Sequence, residues 1–235
     1  MLCRRDQVAL AAMFGRIPLS PAILKDLRRR MSGPSRHYHA LPHLAELWLR
    51  HRTFASGRLL TPQAQKLLAC AIAFHDAVYE ARRTDNEHAS AQLWRLRACM
   101  ARRLPRTVVA RVARAIEATA QHTNGDPLEA RRDPVARWLL DLDLTPIAAP
   151  RHRFVQNSSL LRSEFVFVPM QDWRVRNQTF FGSLAARGRL YHSRRIAAVC
   201  EAPARANLAR VLRKAAEPAT TRRRVRVREP GPGSR

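Results

Sequence analysis

His75 and Asp76 are adjacent in the sequence and lie within the apolar stretch 71–79. Burying an imidazole beside a carboxylate is costly unless something compensates for it, and a divalent cation is a frequent compensation. Other residues of the same two types lie before and after the pair: His43, His122, Asp141 and Asp143. This ordered series predicts a metal site. The alternative is a buried histidine that only hydrogen-bonds to a neighbouring carboxylate.

Only one of the two aspartates at 141 and 143 can face such a site. Residues two apart on a helix point about 200° away from each other. The apolar face of the helix predicted around them contains Val135, Trp138, Leu139 and Leu142, and Asp143 lies nearer its middle than Asp141 does. The pattern therefore predicts Asp143 as the ligand and Asp141 as a supporting or surface residue.

Helical elements position these side chains. Proline at a first helical position and a preceding Thr or Asp are helix-start signals. They predict helices that begin at Pro42, at Thr61 (to about Arg82), at Asn86 (to about Arg103), at Pro105 (to 125–127), at Asp133 (to near Pro146) and at Pro203 (to about Ala215). The segment 154–168 fits either a short strand or an irregular helix. A single all-α domain over residues 1–216 is expected.

The remaining segment, 217–235, is rich in arginine, proline and glycine and is predicted to be disordered, because it holds little apolar surface to bury. The formal net charge of +25 favours a phosphate-bearing partner. Only three of the 43 basic residues are lysines, a ratio that codon composition also explains. Nucleic acid is thus a possible partner of the tail but not the favoured one.

The composition also limits the cellular setting. No apolar run of about 18 residues occurs, so no membrane span is expected. The four cysteines are far apart and form no CxxC pair, which suits free thiols in a reducing cytoplasm. Nothing in the sequence indicates an oligomeric state.

Several short motifs carry a resemblance to a known family: RHYH at 36–39 followed by His43, FHDAVY at 74–79, DNEHASA at 85–91, ATAQH at 118–122, DLDL at 141–144, RSEF at 162–165 and ARANL at 204–208. Together they resemble the HD-domain superfamily of metal-dependent phosphohydrolases, and more closely a small, poorly characterised bacterial branch of it. The likeness extends to about Leu212. The sequence departs from the branch at Thr145-Pro146, where unbroken helix is usual, and before Arg36, where an acidic residue is usual.

The resemblance implies an all-α, HD-domain-like helical bundle with one divalent metal ion. Manganese, iron, magnesium, zinc and nickel all suit the ligand types. Carried over by position, the metal ligands are His43, His75, Asp76 and Asp143.

Residues around the ligands are candidates for the remaining roles. Arg36, His39 and His122 are expected to bind phosphate oxygens, since guanidinium and imidazole groups donate to them. A histidine can also protonate a leaving group, and His122 is the catalytic candidate of this kind. Glu87 is expected to orient or deprotonate the attacking water. Structural alternatives stay open: His39 hydrogen-bonding at a helix start, His122 capping helix carbonyls, and Glu87 favoured by the helix dipole. Arg162 and Glu164 are expected to form an ion pair.

These expectations converge on a metal-dependent phosphohydrolase that uses a metal-activated water on a small phosphorylated substrate, with a nucleotide as the leading candidate. Two other classes remain open. One is a nucleic-acid-binding domain with a structural metal, and the other is a small-molecule sensor whose metal site does not turn over.

Overall fold

The computed structural model describes residues 2–55, 60–101, 104–122 and 128–216. Across these ranges the chain is helical and contains no strand, which confirms the all-α prediction. The helices are α1 (Arg4–Phe14), α2 (Pro21–Arg30), α3 (Leu41–Phe54), α4 (Pro62–Phe74), α5 (Asn86–Met100), α6 (Arg106–Ala118), α7 (Leu128–Arg132), α8 (Pro134–Leu144), α9 (Arg151–Glu164), α10 (Met170–Ala185) and α11 (Arg194–Ala216). Within the described residues, no helix combines the length and apolarity that a bilayer span requires.

Helix α4 lies at the centre of the fold because its part from Leu67 to Phe74 is apolar on every side. Every residue from Leu67 to Phe74 is buried, and a helix that is hydrophobic all round must be covered on all faces. Helices α1, α3, α5, α6 and α8 pack around it. The end of α4 is therefore enclosed by the elements that carry the other candidate ligands.

Helices α4 and α8 begin at the predicted N-cap residues. The Thr61 hydroxyl accepts a hydrogen bond from the amide of Ala64 at 3.1 Å, and Pro62 takes the first helical position of α4. The Asp133 carboxylate likewise accepts from the amide of Val135 at 2.7 Å at the start of α8. These caps fix where α4 and α8 begin.

The prediction that α4 continues to about Arg82 is wrong, because the helix ends at Phe74 and His75 is its C-cap. Side chains from elsewhere bind the backbone that follows. The Ser90 hydroxyl accepts from the backbone amide of Val78 and donates to its carbonyl, both at 3.0 Å. The side-chain amide of Asn86 accepts from the backbone amide of Glu80 and donates to its carbonyl, also at 3.0 Å. These bonds replace the helical ones and stabilise an irregular turn.

Other boundaries also differ from the predictions. Helix α6 ends at Ala118 and a 3₁₀ turn, Thr119–Gln121, leads to His122. The last helix begins at Arg194, with Pro203 in its interior. A proline there removes one amide donor, so the carbonyl of Val199 loses its helical partner. Both residues lie on the exposed side of the helix.

The ambiguous segment 154–168 is resolved as helix through Glu164 in α9. The predicted disordered tail, 217–235, and the predicted helix stop at 125–127 lie outside the described residues.

Candidate metal centre

Three helices bring the central residues of the candidate site together. His43 lies in the first turn of α3, His75 follows the last residue of α4, and Asp143 is one residue from the end of α8. Because α4 packs against both α3 and α8, these three helix ends meet at one place.

The ligand atoms of His43, His75 and Asp143 all lie within 4.8 Å of one another, close enough to bind a single metal ion. His43 Nε2 is 3.0 Å from Asp143 Oδ1, and His75 Nε2 is 3.6 Å from the same oxygen. Both histidine side chains are almost fully buried, at 2% and 1% exposed. Nitrogen and oxygen donors of this kind suit a divalent transition metal.

Asp76, the fourth predicted ligand, lies beside this cluster without being within the same 4.8 Å limit of all its members. Its Oδ2 atom is 2.9 Å from His75 Nε2 and 3.8 Å from His43 Nε2. Its side chain is 12% exposed and lines a cavity next to the histidines. Asp76 is thus positioned at the cavity side of the cluster.

The protonation of His75 determines what the cluster can hold. Its Nδ1 atom lies 2.8 Å from the carbonyl oxygen of Ile72. A carbonyl only accepts, so Nδ1 must carry the hydrogen. In the neutral ring Nε2 then presents a lone pair to the Asp76 and Asp143 carboxylates, and this contact is repulsive unless a proton or a cation lies between them.

Four side-chain atoms of the site are buried and have no hydrogen-bond partner among the described residues: His43 Nδ1, His122 Nδ1, His75 Nε2 and Asp76 Oδ2. The last two, His75 Nε2 and Asp76 Oδ2, lie next to each other. They approach within 2.9 Å but lack the alignment of a hydrogen bond. Buried polar groups are normally satisfied. A bound cation would satisfy both atoms at once.

The electrostatics of the cluster favour positive charge. Burial alone would lower the pKa of His75, but the charges of Asp76 and Asp143 raise it well above its usual value. Burial alone would raise the pKa of Asp143, but His75 and hydrogen bonds from His122 and His43 lower it well below its usual value. Protons and metal ions would therefore compete for this position.

His122 contacts the Asp143 carboxylate directly. Its Nε2 atom lies 2.7 Å from Asp143 Oδ2, on the oxygen that His43 does not approach. His122 also lines the cavity. It can orient the ligand carboxylate from this position, in addition to the phosphate-binding role that the sequence predicted.

Arg36 binds the backbone around His75 and Asp76. Its Nη1 atom donates to the carbonyl oxygens of Asp76 at 2.7 Å and His39 at 2.9 Å, and its Nη2 atom donates to that of Ala77 at 3.1 Å. These bonds join the 36–39 segment to the turn after α4. We therefore give Arg36 a positioning role, since the guanidinium is occupied by carbonyls and does not line the cavity.

His39 is held at the cavity wall by Glu164, which is 125 residues away in the sequence. The His39 Nδ1 atom is 2.6 Å from Glu164 Oε2, and the ring stacks on Tyr79 with centroids 3.9 Å apart. Burial alone would lower the pKa of His39, but Asp76 and the bond with Glu164 raise it. A protonated His39 could donate from Nε2 to an anion in the cavity.

The expected ion pair between Arg162 and Glu164 is wrong. Glu164 Oε1 instead accepts from three successive backbone amides, those of residues 37, 38 and 39, at 2.7–2.9 Å. Arg162 donates to the carbonyl oxygens of Phe165 and Val168. Both oxygens of the Glu164 carboxylate are therefore occupied, Oε1 by the three amides and Oε2 by His39, and Arg162 binds elsewhere.

The two aspartates of the 141–144 segment have separate environments, as the helical period predicts. Asp141 is fully buried and accepts from the amides of His192 at 2.8 Å and Ser193 at 2.6 Å. It also lies 2.9 Å from His192 Nδ1. Of these two aspartates, only Asp143 faces His43 and His75, despite the 3₁₀ turn that begins at Thr145.

A cavity of about 430 Å³ opens beside the cluster. Asp76, Asp143, His39, His122 and Glu87 line one part of it. The part formed by α9 and α10 contributes aromatic, amide and guanidinium side chains: Phe165, Trp173, Phe180, Asn157, Asn177 and Arg176. Glu87 is half-buried at the wall, where its role as a base stays a prediction.

Sequence reasoning assigned no function to Tyr38, Tyr79 or the side chains that α9 and α10 contribute. The two tyrosines lie in the RHYH and HDAVY motifs, so their motif positions were a usable signal. Tyr38 packs on His43 with centroids 5.1 Å apart, and both tyrosines line the cavity. Nothing local marks Asn157 or Trp173, because only the packing of α9 and α10 brings them to the cavity.

The sequence matches no protein-family model, and a search of curated proteins returns no significant match. Function is therefore inferred from the geometry of the site.

Proposed function

We propose that the protein is a metal-dependent phosphohydrolase of the HD-domain type that acts on a small phosphorylated molecule. The observation that carries this proposal is the orientation of His75. Its Nδ1–H group is held by a carbonyl, so Nε2 faces the carboxylates of Asp76 and Asp143. The ligand atoms of His43, His75 and Asp143 lie within 4.8 Å of one another. A divalent cation between these atoms would remove the repulsion.

His43, His75 and Asp143 would hold the ion, with Asp76 completing the set from the cavity side. A divalent ion in this position polarises a phosphoryl oxygen and lowers the pKa of a water molecule. Because Asp76 and Asp143 both line the cavity, a substrate there would lie against the ligand carboxylates rather than against the buried imidazoles.

The chain supplies cationic groups for a phosphate at the same cavity. His39, with its raised pKa, can donate from its ring, and the exposed guanidinium of Arg176 lies on the wall that α10 contributes. Arg83 also lines the cavity, but Asp85 binds its Nε and Nη2 atoms at 2.9 Å. Charge-assisted donors of this type favour phosphate oxygens.

The aromatic and amide side chains of the cavity support a nucleotide as the leading substrate candidate. Trp173, Phe165 and Phe180 offer ring faces for stacking, and Asn157 and Asn177 offer amide groups. The Asn157 Nδ2 atom is buried and has no partner among the described residues. A heteroaromatic base carries acceptors that would satisfy it.

Metal content and phosphate release test the proposal together. The purified full chain is expected to contain about one divalent ion per molecule and to release phosphate from nucleotides, and His75→Ala and Asp76→Ala are expected to lose both. His37→Ala is the matched control, since it removes an exposed histidine two residues from His39. Full metal occupancy and turnover in His75→Ala would refute the proposal. Metal binding without turnover on any phosphorylated substrate would favour the sensor.

A further inference from the structure

The turn between α9 and α10, residues 165–169, and the first residue of α10 carry a cluster of exposed apolar side chains. Val166 is 76% exposed, more than any other large apolar side chain that the structure describes, and Phe167 and Met170 are 38% and 50% exposed. Apolar surface left in water costs free energy. We call these three side chains the apolar turn.

The fold holds the apolar turn at the surface. The amide of Val168 donates to the carbonyl oxygen of Phe165 at 2.9 Å, and Arg162 donates to the carbonyl oxygens of both residues. Val168 is buried, at 4% exposed, so its side chain anchors the turn from inside. The two residues between Phe165 and Val168 therefore stay outside the core.

Two guanidinium groups flank the apolar turn. The Arg82 Cζ atom lies 3.9 Å from the centroid of the Phe167 ring. Arg174 lies four residues after Met170, on the same face of α10. Both arginines are exposed, and neither forms an ion pair with a carboxylate of the described residues.

The acidic residues nearest in sequence face elsewhere. Asp172 lies two residues from both Met170 and Arg174, and so points about 200° away from them around the helix. Asp85 binds Arg83 at 2.9 Å, and the charge of Glu80 also acts on Arg83. The apolar turn is therefore bordered by exposed positive charge.

This combination fits the interface of an anionic bilayer, where apolar side chains enter the boundary of the acyl chains and basic groups bind lipid phosphates. Three side chains are far fewer than the roughly 20–30 residues that each side of a stable protein interface contributes. A second copy of the chain is disfavoured, since each copy carries a formal net charge of +25. A bilayer also requires no matching shape.

We propose that the protein binds an anionic lipid surface through the apolar turn, with Arg82 and Arg174 on the headgroup phosphates. This binding requires neither a metal ion nor turnover. The three apolar side chains do not line the cavity at the metal centre, but Phe165 of the same segment does. A bound bilayer would therefore lie beside the wall of that cavity.

Cosedimentation of the full chain with vesicles of phosphatidylcholine and phosphatidylserine tests the proposal. The arginine-rich segment 217–235 can attract anionic lipid by itself, so the main comparison keeps the net charge constant. Val166→Asn/Met170→Gln is expected to weaken vesicle binding by about tenfold, because two apolar side chains no longer enter the bilayer.

Val8→Asn/Met100→Gln is the matched control. It replaces the same two residue types at positions that are 57% and 58% exposed on α1 and α5, and it should bind vesicles as the wild type does. Arg82→Gln/Arg174→Gln is expected to weaken binding more than Arg4→Gln/Arg5→Gln, which removes the same charge from the exposed start of α1.

Two results would overturn the proposal. Equal vesicle binding by the wild type and Val166→Asn/Met170→Gln would assign lipid binding to the general charge of the chain alone. A wild type that stays in solution with these vesicles would leave another protein as the partner of the apolar turn.

Discussion

His122 Nε2 lies 2.7 Å from Oδ2 of Asp143, while His43 Nε2 lies 3.0 Å from the other oxygen of the same carboxylate. Imidazoles from two distant parts of the chain therefore fix the orientation of one acid. Groups that hydrogen-bond to a metal ligand set its direction and basicity. This relationship leads to the first prediction.

His122→Ala is expected to weaken metal binding by about 10–100-fold without abolishing it, because Asp143 would lose its orienting partner but keep its ligand oxygen. Competition with a fluorescent chelator measures the affinity. His37→Ala, with an exposed histidine removed, should bind metal as the wild type does. Unchanged affinity in His122→Ala would show that the contact does not orient the ligand.

Single substitutions of Asp141 and of Asp143 should have opposite effects on stability and on metal binding. Asp141→Ala removes a fully buried carboxylate and leaves the partly buried amides of His192 and Ser193 without an acceptor. It is expected to lower the free energy of unfolding by about 3 kcal/mol or more while metal binding persists in the folded fraction. Asp143→Asn is expected to lose the metal with a much smaller loss of stability. Urea unfolding and elemental analysis of both variants check this contrast. The prediction is contradicted if Asp141→Ala loses the metal while Asp143→Asn keeps it.

Glu164→Ala should strongly destabilise the fold, because it removes the acceptor of three backbone amides and of the His39 ring. The expected loss is about 3 kcal/mol or more in urea unfolding. Glu164→Gln should lose less, since its amide oxygen can still accept from the backbone.

Glu46→Ala is a control for this measurement. Its carboxylate pairs with Arg50 one helical turn away at 3.4 Å, with both side chains partly exposed, so a loss below about 1 kcal/mol is expected. Comparable losses in Glu46→Ala and Glu164→Ala would mean that the amides at 37–39 do not depend on the Glu164 carboxylate.

Acid should destabilise the protein through His51. Burial and the charges of Arg16 and Arg52 lower its pKa to about 4, and its Nδ1 accepts from the indole of Trp138 at 2.8 Å. In the unfolded chain the His51 imidazole therefore binds a proton near pH 6.5, whereas in the folded chain it binds one only near pH 4. Stability is fully present above pH 6.5 and decreases as the pH falls through this window, by about 3 kcal/mol in total.

His51→Asn can keep an acceptor for the indole but cannot titrate, so this part of the pH dependence should disappear. Urea unfolding of the wild type and of His51→Asn between pH 7 and pH 4.5 measures the free energy of unfolding of each. Titratable groups that the two proteins share cancel in the difference between the two pH profiles. If the free energy of unfolding changes with pH in the same way in both proteins, the pKa of His51 is not lowered in the folded state.

Local sequence signals were sufficient for the starts of α4 and α8 and for the phase of side chains along a helix, but they placed the start of the last helix at Pro203 instead of Arg194. Thr61-Pro62 and Asp133-Pro134 begin α4 and α8 because capping and proline geometry involve only neighbouring residues. The helical period separated Asp143 from Asp141 for the same reason.

Helix ends were predicted less well, because distant side chains decide them. The turn after Phe74 is held by Arg36, 40 residues before Asp76, and by Ser90, 12 residues after Val78. The spacing of apolar residues cannot show that a side chain elsewhere will bind these backbone groups. The predicted helix through Arg82 therefore continued past its actual end.

The sequence by itself determined the helical class and the residue types at the candidate metal centre, because propensity, capping and periodicity act over a few neighbouring positions. Only the tertiary structure decided that Glu164 holds His39 and that Arg36 binds backbone instead of lining the cavity. These arrangements depend on contacts between residues far apart in the chain, and such contacts exist only once the helices have packed.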